Sequence, residues 1–210
     1  MTDRTTTTEM MRTCFSELMK SVGTSIPGQV LGFDSGSQLA QVQVGVERVD
    51  INGNSVALSP ITEVPVYFPG GDFCVEYQID AGNEGLILFS QRCIDAWVNQ
   101  GGTAPPPIRR FHDMSDALFI PGFRSQANKM SSFQNNGVRL RDKDGTNYIW
   151  LKNDGTIAIQ ATAINIVSNL VVAGDMAVNG GTITNEGVNV GSTHVHGGVT
   201  SGPNNTSVPS

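Results

Sequence analysis

Apolar residues recur in three different rhythms along this chain of 210 residues, and each rhythm predicts a different element. Thr6-Thr7-Thr8-Glu9 has the form of a capping box, in which Thr6 accepts from first-turn amides and Glu9 reaches back. Met11, Cys14, Phe15, Leu18, Met19 and Val22 then follow at helical spacing, which predicts a short amphipathic helix ending near Gly23. Its apolar stripe must pack on its own domain or on a neighbouring subunit. From Pro27 to Arg92 the rhythm shortens to alternation. Residues 29–33, 39–46, 63–68, 73–78 and 84–90 read as five short strands separated by turns of Gly, Asn, Asp and Pro, the pattern of a small antiparallel barrel. Ala40, Val42, Val44 and Val46 face its core while Gln41 and Gln43 face out, and Asp50-Ile51-Asn52-Gly53-Asn54 supplies the Asn-Gly pair of a hairpin.

Residues 94–99, with Trp97, predict a short helix closing the barrel, followed by the stiff Thr103-Ala104-Pro105-Pro106-Pro107 connection. Residues 109–123 mix charges with Phe111, Leu118, Phe119, Ile120 and Phe123. From Gly137 a third rhythm begins: extended pieces at 138–141, 148–151, 156–160, 163–167, 170–180, 182–184 and 188–191, divided by Gly, Asn or Asp. No proline falls between Pro121 and Pro203, as expected where every amide joins a ladder. Each piece is too short to bury its own apolar face, so it must stack on neighbouring turns or pair with other chains. A single-chain solenoid wants longer, more regular rungs. Three intertwined chains tolerate short ones and close every strand edge.

Composition sharpens the division. The aromatics end at Trp150 and the last cation is Lys152, after which Ile, Val, Ala, Thr, Asn and Gly dominate. The expected organisation is a helix and arm over 1–26, an OB-like barrel with linker over 27–123, a trimeric β-helix shaft over 124–191 and an apex over 192–210. A net charge of −6 argues against nucleic acid as a partner, because phosphate neutralisation needs clustered Lys and Arg. Cys14, Cys74 and Cys93 are odd in number and lack a CxxC pattern, which reads as reduced, partly buried thiols made in a cytoplasm. The Thr-rich, polar stretch before the first helix lacks the basic-then-apolar pattern of a secretory leader, so export by that route is not expected, and no apolar run approaches the ~20 residues of a membrane span.

Two groups of residues carry candidate chemistry. His112 and Asp113 form an acid/base pair in sequence, but without a second carboxylate or a nucleophile motif they read as a hydrogen-bonded structural pair. The sharper signal is Ser192-Thr193-His194-Val195-His196-Gly197-Gly198. In an extended segment, residues i and i+2 share a side about 6.6 Å apart, so His194 and His196 face one direction. One chain offers two ligands, too few for a stable site. Three chains around a threefold axis offer six nitrogens in two layers, octahedral coordination that suits iron or a similar first-row ion better than tetrahedral zinc.

The ladder from Asn169 to Gly181, Asn-Leu-Val-Val-Ala-Gly-Asp-Met-Ala-Val-Asn-Gly-Gly, is followed by Val188-Asn189-Val190-Gly191 and the His-Val-His-Gly-Gly run. Together they resemble the central spike proteins (baseplate assembly protein V type) of contractile-tailed bacteriophages. The resemblance implies a mainly β fold: an OB-like antiparallel barrel, then an intertwined triple-stranded β-helix with a metal-bound apex. It further implies one iron ion per homotrimer held by His194 and His196 of each chain, with no catalysed reaction. The implied partners are tail hub and baseplate proteins, with transient contact with the bacterial outer membrane as the spike pierces it. Such a protein is assembled in the host cytoplasm and resides at the tail tip of the virion.

Two other classes fit parts of the chain. A non-haem iron enzyme pairs histidines with a carboxylate, yet the closest acid upstream is Glu186 and none follows His196. A β-helical tail fibre that binds the host usually displays aromatic and acidic residues, whereas this distal region has no aromatic and only Asp175 and Glu186.

Overall fold

The computed structural model describes residues 6–194, 197–198 and 202. It divides into two compact units, one comprising the chain up to Asn135 with Lys143–Gly145, the other Asn136–Asp142 and the chain from Thr146 onward.

In the first unit, α1 spans Thr7–Lys20 and begins on the capping box read from the sequence. The Thr6 hydroxyl accepts from the Glu9 amide at 3.3 Å, and the Glu9 carboxylate accepts from the Thr6 amide at 2.7 Å. These bonds satisfy two of the donors a helix start leaves orphaned. The helix stops at Ser21, whose hydroxyl donates to the Leu18 carbonyl. None of its side chains is buried, and Phe15 and Leu18 keep 65% and 66% of their surface exposed. Intrachain packing therefore does not cover the stripe.

The barrel follows as β1 Ser25–Asp34, β2 Leu39–Val44, the hairpin β3 Arg48–Val49 and β4 Ser55–Val56, β5 Ile61–Pro65, β6 Glu84–Phe89, α2 Asp95–Gln100 and β7 Ala117–Pro121. Five of these strands form one antiparallel sheet in the order β5-β2-β1-β6-β7. Register shifts at Val30/Gly32 and Ala40/Val42 mark irregularities that increase twist and curl the sheet. Its two edges meet where Val66 bridges Phe119 in parallel and the Tyr67 amide donates to the Phe119 carbonyl at 2.9 Å. The result is a partly open five-stranded barrel.

Val30, Val42, Val64, Ile87 and Phe119 fill its core and are essentially inaccessible to water. Alternation brings them together: Ala40, Val42 and Val44 point inward, as the sequence predicts, while Val46 lies past the strand and is exposed. The paired glycines Gly28 and Gly85 on neighbouring strands make the space. A Cβ on Gly85 would lie 2.4 Å from the Phe119 ring and from the Ile120 carbonyl oxygen, and one on Gly28 would lie 2.5 Å from Ile87.

One expected strand is replaced by another. Residues 73–78 carry only the bridge Gly70↔Cys74; Phe73 points almost wholly into water, and Tyr77 turns in to stack on Phe68 and donate to the Tyr67 carbonyl. The fifth strand is instead β7, within the stretch read as a mixture of charge and apolar residues. Ala-Leu-Phe-Ile is a continuous apolar run, and alternation is invisible in a strand of that kind.

The second unit contains β8 Gly137–Arg141, β9 Tyr148–Lys152 and β10 Ile157–Gln160 in one antiparallel sheet of order β10-β9-β8. A small hairpin of β11 Thr184–Asn185 and β12 Val188–Asn189 follows. No strand lies between Gln160 and Thr184 among the described residues, so the extended pieces expected at 163–167 and 170–180 have no strand partner within the chain. No helix among the described residues is long and apolar enough to cross a membrane.

The tight seating of Phe119 yields a contrast. Gly85→Ala should destabilise the barrel by about 1–3 kcal/mol through overpacking. Gly32→Ala, whose new methyl would meet nothing within 4 Å, should be neutral or slightly stabilising. Urea unfolding of the two variants against the parent checks both.

Candidate functional site

The chain reaches His194 through a built turn. β11 and β12 pair Thr184 with Asn189 and Asn185 with Val188 around Glu186 and Gly187, both at positive φ. Asn189 then organises the residues up to Thr193: its carbonyl oxygen accepts from the Gly191 amide at 2.8 Å, and its amide nitrogen donates to the Thr193 hydroxyl at 2.7 Å. The Gly191 carbonyl accepts twice from His194, from the backbone N–H at 3.1 Å and from ring Nδ1 at 2.7 Å. A carbonyl can only accept, which places a proton on Nδ1. A backbone carbonyl on one ring nitrogen is the usual orienting partner of a metal-ligating histidine. The segment entering His194 is thus a hydrogen-bonded turn, where an extended strand is expected from the sequence. His196 lies outside the described residues.

His112 and Asp113 do not converge. His112 Nδ1 donates to the Gly23 carbonyl at 3.1 Å while the Gly23 amide donates back to the His112 carbonyl at 3.1 Å. This clasp ties the segment after α1 to the barrel. Asp113 instead accepts from the Ser115 hydroxyl and amide, which hold its carboxyl below the usual range. Each of the two is hydrogen-bonded within the fold, to different partners.

A buried polar constellation in the barrel is one that sequence reading misses. Asp116 is wholly buried at the start of β7 and accepts from Arg110 Nε at 3.0 Å, an Arg110 terminal nitrogen at 2.8 Å and the Ile94 amide at 3.0 Å. The same guanidinium donates to Asp95 at 2.9 Å and to the Cys93 thiol at 3.1 Å. Burial pushes the Asp116 carboxyl up, but the Arg110 and Ile94 hydrogen bonds and the guanidinium charge outweigh it and hold it below its ordinary value. Arg110 is in turn held more firmly protonated by Asp116.

Cys93, Asp95 and Asp116 bring metal-type ligand atoms within 4.8 Å of one another. Arg110 already donates to all three, so a cation belonging to the chain occupies the place a metal ion would take. Its role is to pin α2, the 110–116 loop and β7 together. The only sequence signal is a lone Asp on the edge of an apolar run, with Arg92, Arg109 and Arg110 upstream. All three cysteines are free; Cys93 is buried as expected, but Cys14 and Cys74 are exposed.

Residues 26–122 match the family model described as the N-terminal domain of phage protein Gp138. The matched segment runs through β1 to β7, the whole curled sheet, and indicates a phage protein. Comparison of the chain with curated proteins gives no match.

Asp116→Asn removes the buried charge from the half-buried Arg110, which keeps its pairing with Asp95, and should cost about 1–3 kcal/mol in urea unfolding. The acid limb supplies a second readout. Because the folded carboxyl titrates below its unfolded value of ~3.9, its contribution is present above that pH and disappears as pH falls through the depressed folded value. Stability of the parent should therefore fall more steeply below about pH 4 than stability of Asp116→Asn.

Proposed function

We propose that this chain is one third of a homotrimeric spike at the tip of a contractile phage tail or related injection device, driven point first through the host outer membrane. In this reading the barrel docks on tail hub or baseplate proteins, nucleic acid is not a partner, and nothing is catalysed.

The observation that carries the reading is the two-faced sheet of the second unit. Val138, Leu151 and Ile157 are paired across β8, β9 and β10, as are Leu140, Ile149 and Ile159, so six aliphatic side chains share one face. Every one is exposed, from 44% for Ile149 to 67% for Val138. The opposite face carries stacking and hydrogen-bonding contacts of its own. Arg139 stacks 3.9 Å from the Tyr148 ring centroid, Lys152 lies over Trp150 at 4.9 Å, and the Tyr148 hydroxyl donates to Gln160. Burying apolar area is worth roughly 25 cal/mol per Å², and the bare face has no claimant within its own sheet.

The same deficit continues along the chain: Ile164, Ile166, Val171, Val172 and Val178 are exposed as well. Three chains winding together would turn each of these into interior.

His194 and His196 of the three chains would hold a first-row ion, iron by the six-nitrogen count, with His194 Nδ1 on the Gly191 carbonyl setting the ring for ligation. Such an ion crosslinks the chain ends, where fraying otherwise costs almost nothing.

Sedimentation should give a particle of three times 22.3 kDa, and a stable monomer would end the proposal. Metal analysis should find one ion per three chains, with one per chain arguing for an enzyme centre instead. Replacing His194 and His196 together by Ala should release the metal and leave the trimer assembled, because the ladder buries far more surface than the tip.

A further inference from the structure

We propose that the apolar stripe of α1 is a second self-association surface, packing against the same helix of two further copies in a parallel three-helix bundle. The inference rests on the threefold reading above and names an interface that neither the sheet face nor the histidine tip supplies.

Thr8, Met11, Phe15 and Leu18 are spaced three, four and three residues apart, the a/d alternation of a helical seam that complements another copy of itself. At about 100° per residue, Met11, Phe15 and Leu18 fall within a sector of about 60°, with Cys14 and Met19 on its flanks. Met11 and Met19 are exposed to 68% and 52%. A helix of 14 residues is at the limit of what stands alone in water, and this one has firm caps at both ends but no packed face. It needs a cover.

Charge selects the occupant. The chain as a whole carries −6, but α1 holds Glu9 and Glu17 against Arg12 and Lys20 and is neutral. Glu9 is engaged in the cap, and Glu17 pairs with Lys20 at 2.6 Å. Copies of this helix meet without the repulsion that the rest of the chain would impose. A membrane surface is disfavoured by the same balance, since interfacial helices are rich in Lys and Arg on their polar face.

Cys14 flanks the seam and is exposed, which gives a direct readout. In full-length protein carrying Cys74→Ser, so that Cys14 is the accessible thiol among the described cysteines, a short bis-maleimide at micromolar protein should link pairs of chains into covalent dimers, leaving the third chain of each trimer singly modified. Cys14→Ser should abolish the product. Phe15→Asp with Leu18→Asp should lower it about tenfold or more while sedimentation still reports a trimer held by the shaft. A trimer in which Cys14 fails to link, or links equally well in the double Asp variant, overturns the helix bundle and leaves the spike reading standing. A monomer in sedimentation overturns the spike reading itself.

Discussion

A β-strand presents two faces and two edges to its surroundings, and the second unit of this chain satisfies one face only. Arg139, Tyr148, Trp150, Lys152 and Gln160 close the polar side of the three-stranded sheet by stacking and hydrogen bonding, while the aliphatic rows on the other side meet water. Between Gln160 and Thr184 even the ladder lapses among the described residues, because backbone donors and acceptors in an extended chain need a neighbour at strand spacing. Apolar side chains along a segment with no strand partner are what the proposed trimer would cover. The proposed trimer follows from this deficit more than from the histidines.

The barrel is the opposite case. Its core closes within a single chain because Gly28 and Gly85 surrender their side chains where Ile87 and Phe119 must pass. Its polar interior is equally self-sufficient: Asp116 is satisfied by three donors from two separate segments, so β7 cannot slide without stranding a buried charge. A buried ion pair adds little net stability compared with apolar filling, but losing half of one is strongly destabilising, which makes it a registration device. It sits at the strand that brings the sheet edge back to Val66. The segment matched by the phage domain is thus the part of the chain that folds on its own contacts.

Local chemistry was what the sequence showed best. The capping box at Thr6 and Glu9, the Asn-Gly hairpin, the inward Ala40-Val42-Val44 series and the strands at 137–141, 148–152 and 157–160 all rest on interactions within a few residues or on strict alternation. β7 was obscured because its residues form one continuous apolar run, and residues 73–78 misled because Phe73 and Val75 alternate with polar residues yet face water. Arg110 and Asp116 were illegible for a different reason. Six residues apart, their pairing depends on how the loop before β7 folds over Cys93 and Asp95, and no spacing rule encodes that. At the candidate metal tip, the sequence shows the two histidines, while the Gly191 carbonyl on the His194 ring emerges only from the turn that Asn189 builds.

Register is the remaining problem for a shaft of this composition. Flat strands of Ala, Val, Ile and Thr specify their alignment weakly, because a slip exchanges one small side chain for another at little cost. Past Lys152 no cation remains to pair with Asp154, Asp175 or Glu186, so charge cannot select the alignment either. In the proposed trimer, metal ligation would demand that three Gly191 turns arrive level, and a seam of three α1 helices would demand that those helices do the same. With these elements aligned, the aliphatic segment between them would need only to exclude water, which small and β-branched side chains do without any specific partner.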